Sequence, residues 1–460
     1  MTLIKSVLLG SAATLMVVAG AQAADLPTKK GAPAAEYVKV CKIGSFAGFI
    51  IPGTDTCLKL SGFVTSRYAA GTTHDVYTFD SPTSKLYKSV AARQQDGYGD
   101  WTRFRLIVET MTNTAYGPLY TMAMPEMEFG HGYIAGYNSV GAPNSQLHDN
   151  ASMDKAWITW AGITAGKHES MFDNPDLDGA VNSDMDIFAP DVSTDLLAYT
   201  ATFGGGFSAT ISMESQQGSA GTLNNFGGDM VSTTLDGGRA PDFVAALDVK
   251  QGWGDAHLAG IMHEIRQQYT GSGTGASPEA TKSTWGYGVN GGVTINLPSL
   301  GAGADFKVNG AYTEGYYAQS GVTSPWYLNL GGVANNGAQG DIIYDAATNT
   351  WKKPEIYTVA GGFDFPIGPT FKVSPEASYA HVHLSMDDPD TYMSKNWQAF
   401  LGGATFEWTP VHGLVFDLDL LYENGRQDTP AAWNSAATAN GEWKKNFCGF
   451  IGELRVERDF

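Results

Sequence analysis

The chain has 460 residues, of which 56 are glycine, 12% are aromatic and only 16% are charged, and its formal net charge is −19. About a quarter of the residues of a soluble domain are usually charged, so the composition departs from that class, yet a mean hydropathy of −0.16 is too polar for a bundle of apolar helices. The acidic balance argues against a phosphate backbone as partner, and no nucleic-acid binding is expected.

In chain order, Lys5 precedes an apolar run from Val7 to Ala19 and then Ala21-Gln22-Ala23. A charged start, a short apolar core and a small-x-small site together read as a secretory signal over 1–23. Its loss would remove Lys5 and take the charge from −19 to −20. The apolar core is too short to span a bilayer, which needs about 20 residues. Residues 24–56 read as a polar, proline- and lysine-containing periplasmic leader. Cys41 and Cys57 flank its second half. An oxidising periplasm is compatible with a bridge between them, and free thiols are the alternative. Cys448 receives no role, and the three spacings fit no zinc pattern.

From Cys57 onward the signal is alternation. A strand with lipid on one side and water on the other repeats every second residue. Leu58, Leu60, Val64 and Tyr68 share one face, against Lys59, Ser61, Thr65 and Arg67. Phe104, Leu106 and Val108 oppose Arg103, Arg105 and Glu109. Trp285, Tyr287, Val289, Val293 and Ile295 oppose Thr284, Asn290, Thr294 and Asn296. Leu414, Phe416, Leu418, Leu420 and Tyr422 oppose Asp417, Asp419 and Glu423. Such runs occur near 57–70, 100–112, 116–128, 153–161, 163–171, 195–203, 206–215, 241–250, 254–267, 282–296, 302–316, 354–364, 370–385, 395–408, 412–426 and 444–460, about sixteen in all.

Their connections alternate between short and long. Turns are expected at 113–115, near Gly162, and at 204–206, 251–254, 297–301, 366–369 and 409–411. Long loops are expected at 71–99, 129–152, 172–194, 216–240, 268–281, 317–353, 386–394 and 427–443. Placing every long connection on one side is the habit of an outer-membrane barrel. The expected fold is therefore all-β: a 16-stranded antiparallel transmembrane barrel over 57–460, with short periplasmic turns and long extracellular loops. The aromatic Phe460 shares parity with Phe450, Leu454 and Val456 on a strand that must pair back onto the first. Trp101, Trp157, Trp160, Trp408 and Tyr422, near strand ends, are candidates for the aromatic girdles.

One connection stands out by its charge. Residues 172–195 hold Asp173, Asp176, Asp178, Asp184, Asp186, Asp191 and Asp195, and no lysine or arginine lies between Lys167 and Arg239. A solvated surface loop is the plain explanation. Calcium binding is a lesser one, since no Asp-x-Asp-x-Asp-Gly loop is present. The other candidate sites are weaker. His381 with His383, and His257 with His263, share strand faces without a third ligand, so polarity outweighs metal binding. No Gly-x-Ser-x-Gly elbow or His-Glu-x-x-His motif appears, so neither enzyme chemistry nor a cofactor is expected.

Several stretches together resemble the alphaproteobacterial general porin family of rhizobia, brucellae and their relatives. They are Ala24-Asp-Leu-Pro, Glu36-Tyr-Val-Lys-Val-Cys, the run from Ile51 to Gly62, the run from Ala156 to Lys167, the run from Leu197 to Thr210, and Trp285-Gly-Tyr-Gly-Val-Asn. The resemblance implies a sixteen-stranded barrel, a homotrimer, passive diffusion of small hydrophilic solutes, and a third long loop folded into the lumen. It gives the acidic loop, with Asp173, Asp176, Asp178, Asp184, Asp186 and Asp191, the position of a constriction. A basic wall would face it, built from Lys59, Arg67, Arg103, Arg105 and Lys155, with Lys167 as a further member. Opposed fixed charges make a transverse field that orients dipolar solutes. The alternative is that these cations pair with neighbours such as Glu109 and Asp154. The other partners are outer-membrane lipid and lipopolysaccharide, and a cation preference follows from the acidic charge. The loops depart from the family, notably at 317–353. Two other classes stay open: a barrel enzyme, which lipid or peptide hydrolysis would reveal, and a structural or adhesive surface protein, which would conduct nothing.

Overall fold

The computed structural model describes residues 39–72, 76–80, 85–90, 97–132, 148–175, 188–215, 222–224, 230–235, 237–272, 281–322, 340–345, 350–384, 395–428 and 446–460. Sixteen antiparallel strands close a barrel. In order they are β1 (Cys57–Gly71), β2 (Tyr98–Thr114), β3 (Gly117–Gly132), β4 (His148–Trp160), β5 (Ile163–Glu169), β6 (Ser193–Gly204), β7 (Phe207–Glu214), β8 (Asp242–Gln251), β9 (Gly254–Ser272), β10 (Thr281–Asn296), β11 (Asp305–Glu314), β12 (Glu355–Ile367), β13 (Phe371–His383), β14 (Asn396–Val411), β15 (Leu414–Gln427) and β16 (Asn446–Asp459). Each pairs with its sequence neighbour, and β16 pairs with β1 from Ile451↔Gly71 to Asp459↔Phe63. All sixteen expected strands are present, with ends moved by a few residues.

Closure leaves no free edge along the wall. Phe460 donates its N–H to the Gly62 carbonyl at 2.9 Å and accepts from Gly62 N at 3.0 Å. Beyond that point the first residues of β1 would lack a partner, and an unpaired edge is a liability. A hairpin of Val40–Ile43 and Phe46–Ile50 fills the place, pairing Phe49↔Leu58 and Ile50↔Cys57. This hairpin is the element missed in the leader, where the strands are short and the turn carries Gly44 in the left-handed region (φ 60°). Cys41 and Cys57 form a disulfide with Cα atoms 5.9 Å apart, tying the hairpin to the rim. Cys448 is a free, exposed thiol.

At one end the strands connect by tight turns. The β4–β5 turn is two residues, Ala161 and Gly162, with φ of 52° and 85°. Two successive positive φ values match the right-handed twist of the flanking strands. At the other end lie the eight long connections, and among the described residues three of them carry short hairpins of their own. These pair 76–80 with 85–90, 222–224 with 230–235, and 343–345 with 350–352.

The alternation read from the sequence separates two surfaces. Leu60, Val64, Tyr68, Ile158, Tyr199, Ile211, Leu247, Val289, Tyr357 and Leu420 are exposed on the outside. A contiguous apolar skin of this extent is untenable in water and suits lipid. The interior parity is polar: Thr65, Glu109, Thr210, Asn290, Asn309, Asp417, Asp419, Glu423 and Glu453 are buried there. Two aromatic expectations are corrected. Trp101 belongs to the interior, because its ring carries the guanidinium groups of inward-facing Arg67 and Arg103, 4.3 and 4.2 Å from its centroid. Trp157 also faces inward, its ring 4.4 Å from that of His168. Trp408 is exposed as expected.

Candidate functional site: the third loop and the lumen walls

The third long connection joins β5 to β6, and both of its described ends turn into the barrel. At the start, Glu214 at the tip of β7 accepts from Ser170 Oγ (2.6 Å) and from Met171 N (2.9 Å). The second bond satisfies a backbone N–H released from β5, and together they hold the chain as it turns inward. Phe172 is then fully buried against Val244, Ala246, Ala259, Ile261 and Tyr316. Its carbonyl accepts from Asn290 Nδ2 at 2.8 Å and lies 3.2 Å from His257 Nε2. The other His257 nitrogen meets Asp248 Oδ1 at 2.7 Å. Asn174 Nδ2 donates to Asn309 Oδ1 (3.3 Å), and Asn309 in turn donates to Asn290 Oδ1 (2.8 Å). A file of amides from β10 and β11 therefore holds the loop's entry.

The exit of the loop is held on a different wall. Phe188 is fully buried among Ala380, Val382, Trp397, Ala399, Leu401, Leu421 and Ile451, from β13 to β16. Its backbone N–H donates to Ser378 Oγ at 3.2 Å. The neck is drawn together by Ser170 N–H to the Val192 carbonyl (2.8 Å) and by Val192 N–H to Asp173 Oδ2 (2.7 Å).

These positions sort the acidic residues. Asp173 is buried and its carboxylate closes the neck, so its charge is spent on a backbone donor rather than presented to the lumen. That corrects its assignment as a constriction charge. Asp191 lies at the exposed exit. Asp195 is exposed on β6 with the outward parity of Leu197 and Tyr199. Asp176, Asp178, Asp184 and Asp186 lie outside the described residues.

The basic wall is present but matched. Lys59 meets Glu109 at 2.5 Å, and Arg67 meets Glu453 at 3.8 Å. Arg103 lies 3.5 Å from Glu126 and 2.6 Å from Glu128. Arg105 lies 2.7 Å from Glu126 and 3.0 Å from Asp154. Lys155 pairs with Glu169. Among these described contacts, five cations, Lys59, Arg67, Arg103, Arg105 and Lys155, meet six carboxylates, Glu109, Glu126, Glu128, Asp154, Glu169 and Glu453. The alternative weighed from the sequence is realised, since each cation has a carboxylate at its side. A buried or half-buried charge needs such a partner to offset its desolvation. Lys167 is corrected: in β5 its parity is that of outward Ile163, it sits across from exposed Asp195, and its Nζ donates to the Met153 carbonyl at 2.8 Å. Proximity to the loop suggests a lumen position, but alternation counted from Ile163 turns Lys167 outward.

Sequence reasoning missed Asn290, Asn309, Asp248 and Glu214 as loop anchors. Asn290 carried a signal, being inward-facing in an otherwise glycine-rich strand. His381 and His383 face outward with stacked rings 6.5 Å apart, and His383 Nδ1 lies 2.6 Å from Asn396 Oδ1.

A family model described as Porin subfamily matches residues 25–451. This chain belongs to that porin family. Porin Omp2b of Brucella canis is 31% identical over 390 residues, covering 82% of this chain and 92% of the relative. Porin Omp2b of Brucella suis is 29% identical over 422 residues, covering 88% and 96%. Among solved structures, the outer membrane channel DcaP of Acinetobacter baumannii superposes with a TM-score of 0.55 at 17% sequence identity, covering 90% of this porin and 99% of that chain. That likeness concerns the fold alone. The porin is an outer-membrane channel of bacteria rather than an enzyme, and its sixteen strands cross the membrane as a multi-pass barrel.

Proposed function

We propose that this porin is a water-filled passage for passive diffusion of small hydrophilic solutes and ions, narrowed by the third loop and preferring cations. The observation that carries this reading is the mooring of the loop's two ends on separate inner walls, Phe172 against β8 and β9 and Phe188 against β13 to β16. A connection held at both ends inside a barrel has its middle available to the lumen. Cation preference is supported by the excess of carboxylates over cations on the facing wall, added to an acidic loop. Asp176, Asp178, Asp184, Asp186 and Asp191 remain its candidate charges, facing Lys59, Arg67, Arg103, Arg105 and Lys155.

The working form is a homotrimer in outer-membrane lipid and lipopolysaccharide. Residues 1–23 are a removed signal, and 24–56 form a periplasmic leader ending in the disulfide-tied hairpin. Purified protein in a planar bilayer tests the reading. Discrete conductance steps, a reversal potential of cationic sign in a salt gradient, and swelling of proteoliposomes by small sugars are expected. No conductance would reject the passage, and an anionic sign would reject the preference.

A further inference from the structure

The sixth long connection, residues 315–354, joins β11 to β12. Its described first part does not rise away from the barrel. Tyr316 is buried in the same cluster as Phe172, at the entry of the third loop. Gln319, Ser320, Gly321 and Val322 are all buried, and Val322 packs in the same cluster as Phe188, at that loop's exit. Thr358 Oγ1 of β12 donates to the Ser320 carbonyl at 3.1 Å. Gly321 has φ of 81°, and a Cβ there would fall 2.7 Å from the Ala189 carbonyl carbon and 2.9 Å from Pro190 N. Only glycine allows this backbone-on-backbone approach of the sixth loop to the third.

A buried polar cluster fastens this segment. His263 of β9 presents Nδ1 to Asp242 Oδ1 of β8 at 2.8 Å and Nε2 to Asp341 Oδ2 of the sixth loop at 3.5 Å. The Tyr316 ring stacks on His263, with centroids 4.0 Å apart and planes 11° apart. Its hydroxyl donates to Asp242 Oδ2 at 2.5 Å. Asp341 Oδ1 accepts from Tyr317 N at 2.8 Å, closing the loop's two described ends on each other. Both nitrogens of His263 thus face acceptors. A neutral imidazole has one N–H, so only the imidazolium serves both.

We propose that the first part of the sixth loop, residues 315–322, is a second pore-narrowing element, a strap that braces the third loop, and that Asp242, His263, Asp341 and Tyr316 form the clasp holding it to the wall. The proposal rests on the third loop being the constriction, because the strap acts on the aperture through Ala189 and Phe188. His263 is a positioning residue. Asp242 faces it from β8, Tyr316 and Asp341 face it from the loop, and Glu214 of β7 lies cross-strand from Asp242. Burial raises the Tyr317 hydroxyl above its ordinary range, so it stays neutral. Loss of the imidazolium proton leaves one nitrogen with a lone pair facing a carboxylate, and the clasp weakens as pH rises.

Sugar exclusion and single-channel conductance of the full-length porin in bilayers test this. Asp341→Asn and His263→Ala are expected to admit larger neutral sugars and to raise conductance about twofold. Gly321→Val, which leaves the clasp intact and pushes the strap off Ala189, is expected to do the same and decides the matter if a clasp variant fails to fold. Wild-type conductance is expected to climb as pH rises above about 6.5, and this climb is expected to vanish in His263→Ala. Wild-type exclusion, conductance and pH profile in these folded variants would overturn the proposal. Failure of the constriction reading is distinguishable, because Asp184→Asn with Asp186→Asn would then leave ion selectivity unchanged, whatever the strap variants do to neutral sugars.

Discussion

Two inner walls of this porin handle polarity in opposite ways. From β16 round to β4 the interior is a lattice of charge, in which Arg67, Arg103 and Arg105 stack on Trp101 and Phe63 while carboxylates flank them. From β8 to β11 it is a mooring, where Asn290, Asn309, His257 and the Phe172 ring hold a loop through mostly neutral contacts. The charged wall packs its ions against one another, with Arg67, Glu109, Glu126, Glu128 and Glu453 buried among their partners. The mooring wall excludes water and sets a shape. On the proposed function, selectivity and aperture would fall to different strands, and each could be perturbed without the other.

The largest separation between the walls is expected at Phe172. Phe172→Ala removes a fully buried ring, at a cost of about 3–5 kcal/mol. A lowered melting temperature and a wider sugar cut-off are expected, with ion selectivity nearly unchanged; a shift of selectivity without a change of cut-off would break the division. Next is the rim at the start of β1. Cys41→Ser opens a bridge spanning 16 residues and is expected to cost about 3 kcal/mol, read as thermal unfolding in detergent with and without reductant. Both walls would keep their permeation properties.

Smaller effects belong to the charged wall. Arg103→Gln leaves Glu126 and Glu128 without that cation and is expected to strengthen cation preference. Glu128→Gln is expected to weaken it. One unit charge at about 8 Å in water is worth about 0.5 kcal/mol, so each should change the permeability ratio about twofold in reversal-potential measurements at low salt. Equal and unsigned effects of the two variants would show that the lattice acts only as packing. The mildest test is salt itself. At 1 M the screening length falls to about 3 Å, and selectivity is expected to shrink while the sugar cut-off holds.

The strands and their two faces were legible because alternation is a local property. Leu58 through Tyr68 state it within a dozen residues, and Asp417, Asp419 and Glu423 repeat it far away. The pairing of Lys59 with Glu109 was readable as an option for the same reason, since charges of one parity on neighbouring strands can meet and these two lie directly across from each other. What was not legible depends on contacts across the lumen. Asn290 and the Phe172 carbonyl are 118 positions apart, and Phe188 N and Ser378 are 190 apart. No periodicity records such distances. The inward course of the sixth loop was hidden in the same way, because Gly321 signals only that something comes close and not what. Asp173 looked like every other aspartate in its run until the Val192 amide identified its task.

The closure at Phe460 has a bearing on the order of assembly. Gly62 and Phe460 bond each other across 398 positions, whereas the cysteines of the hairpin are 16 apart. Short separations close early and long ones late. The oxidised hairpin can therefore exist before any cylinder does, as a preformed seed against the first rung of β1. The seam can be zipped only after β16 has been delivered, so every intermediate up to that moment carries two open edges that need protection.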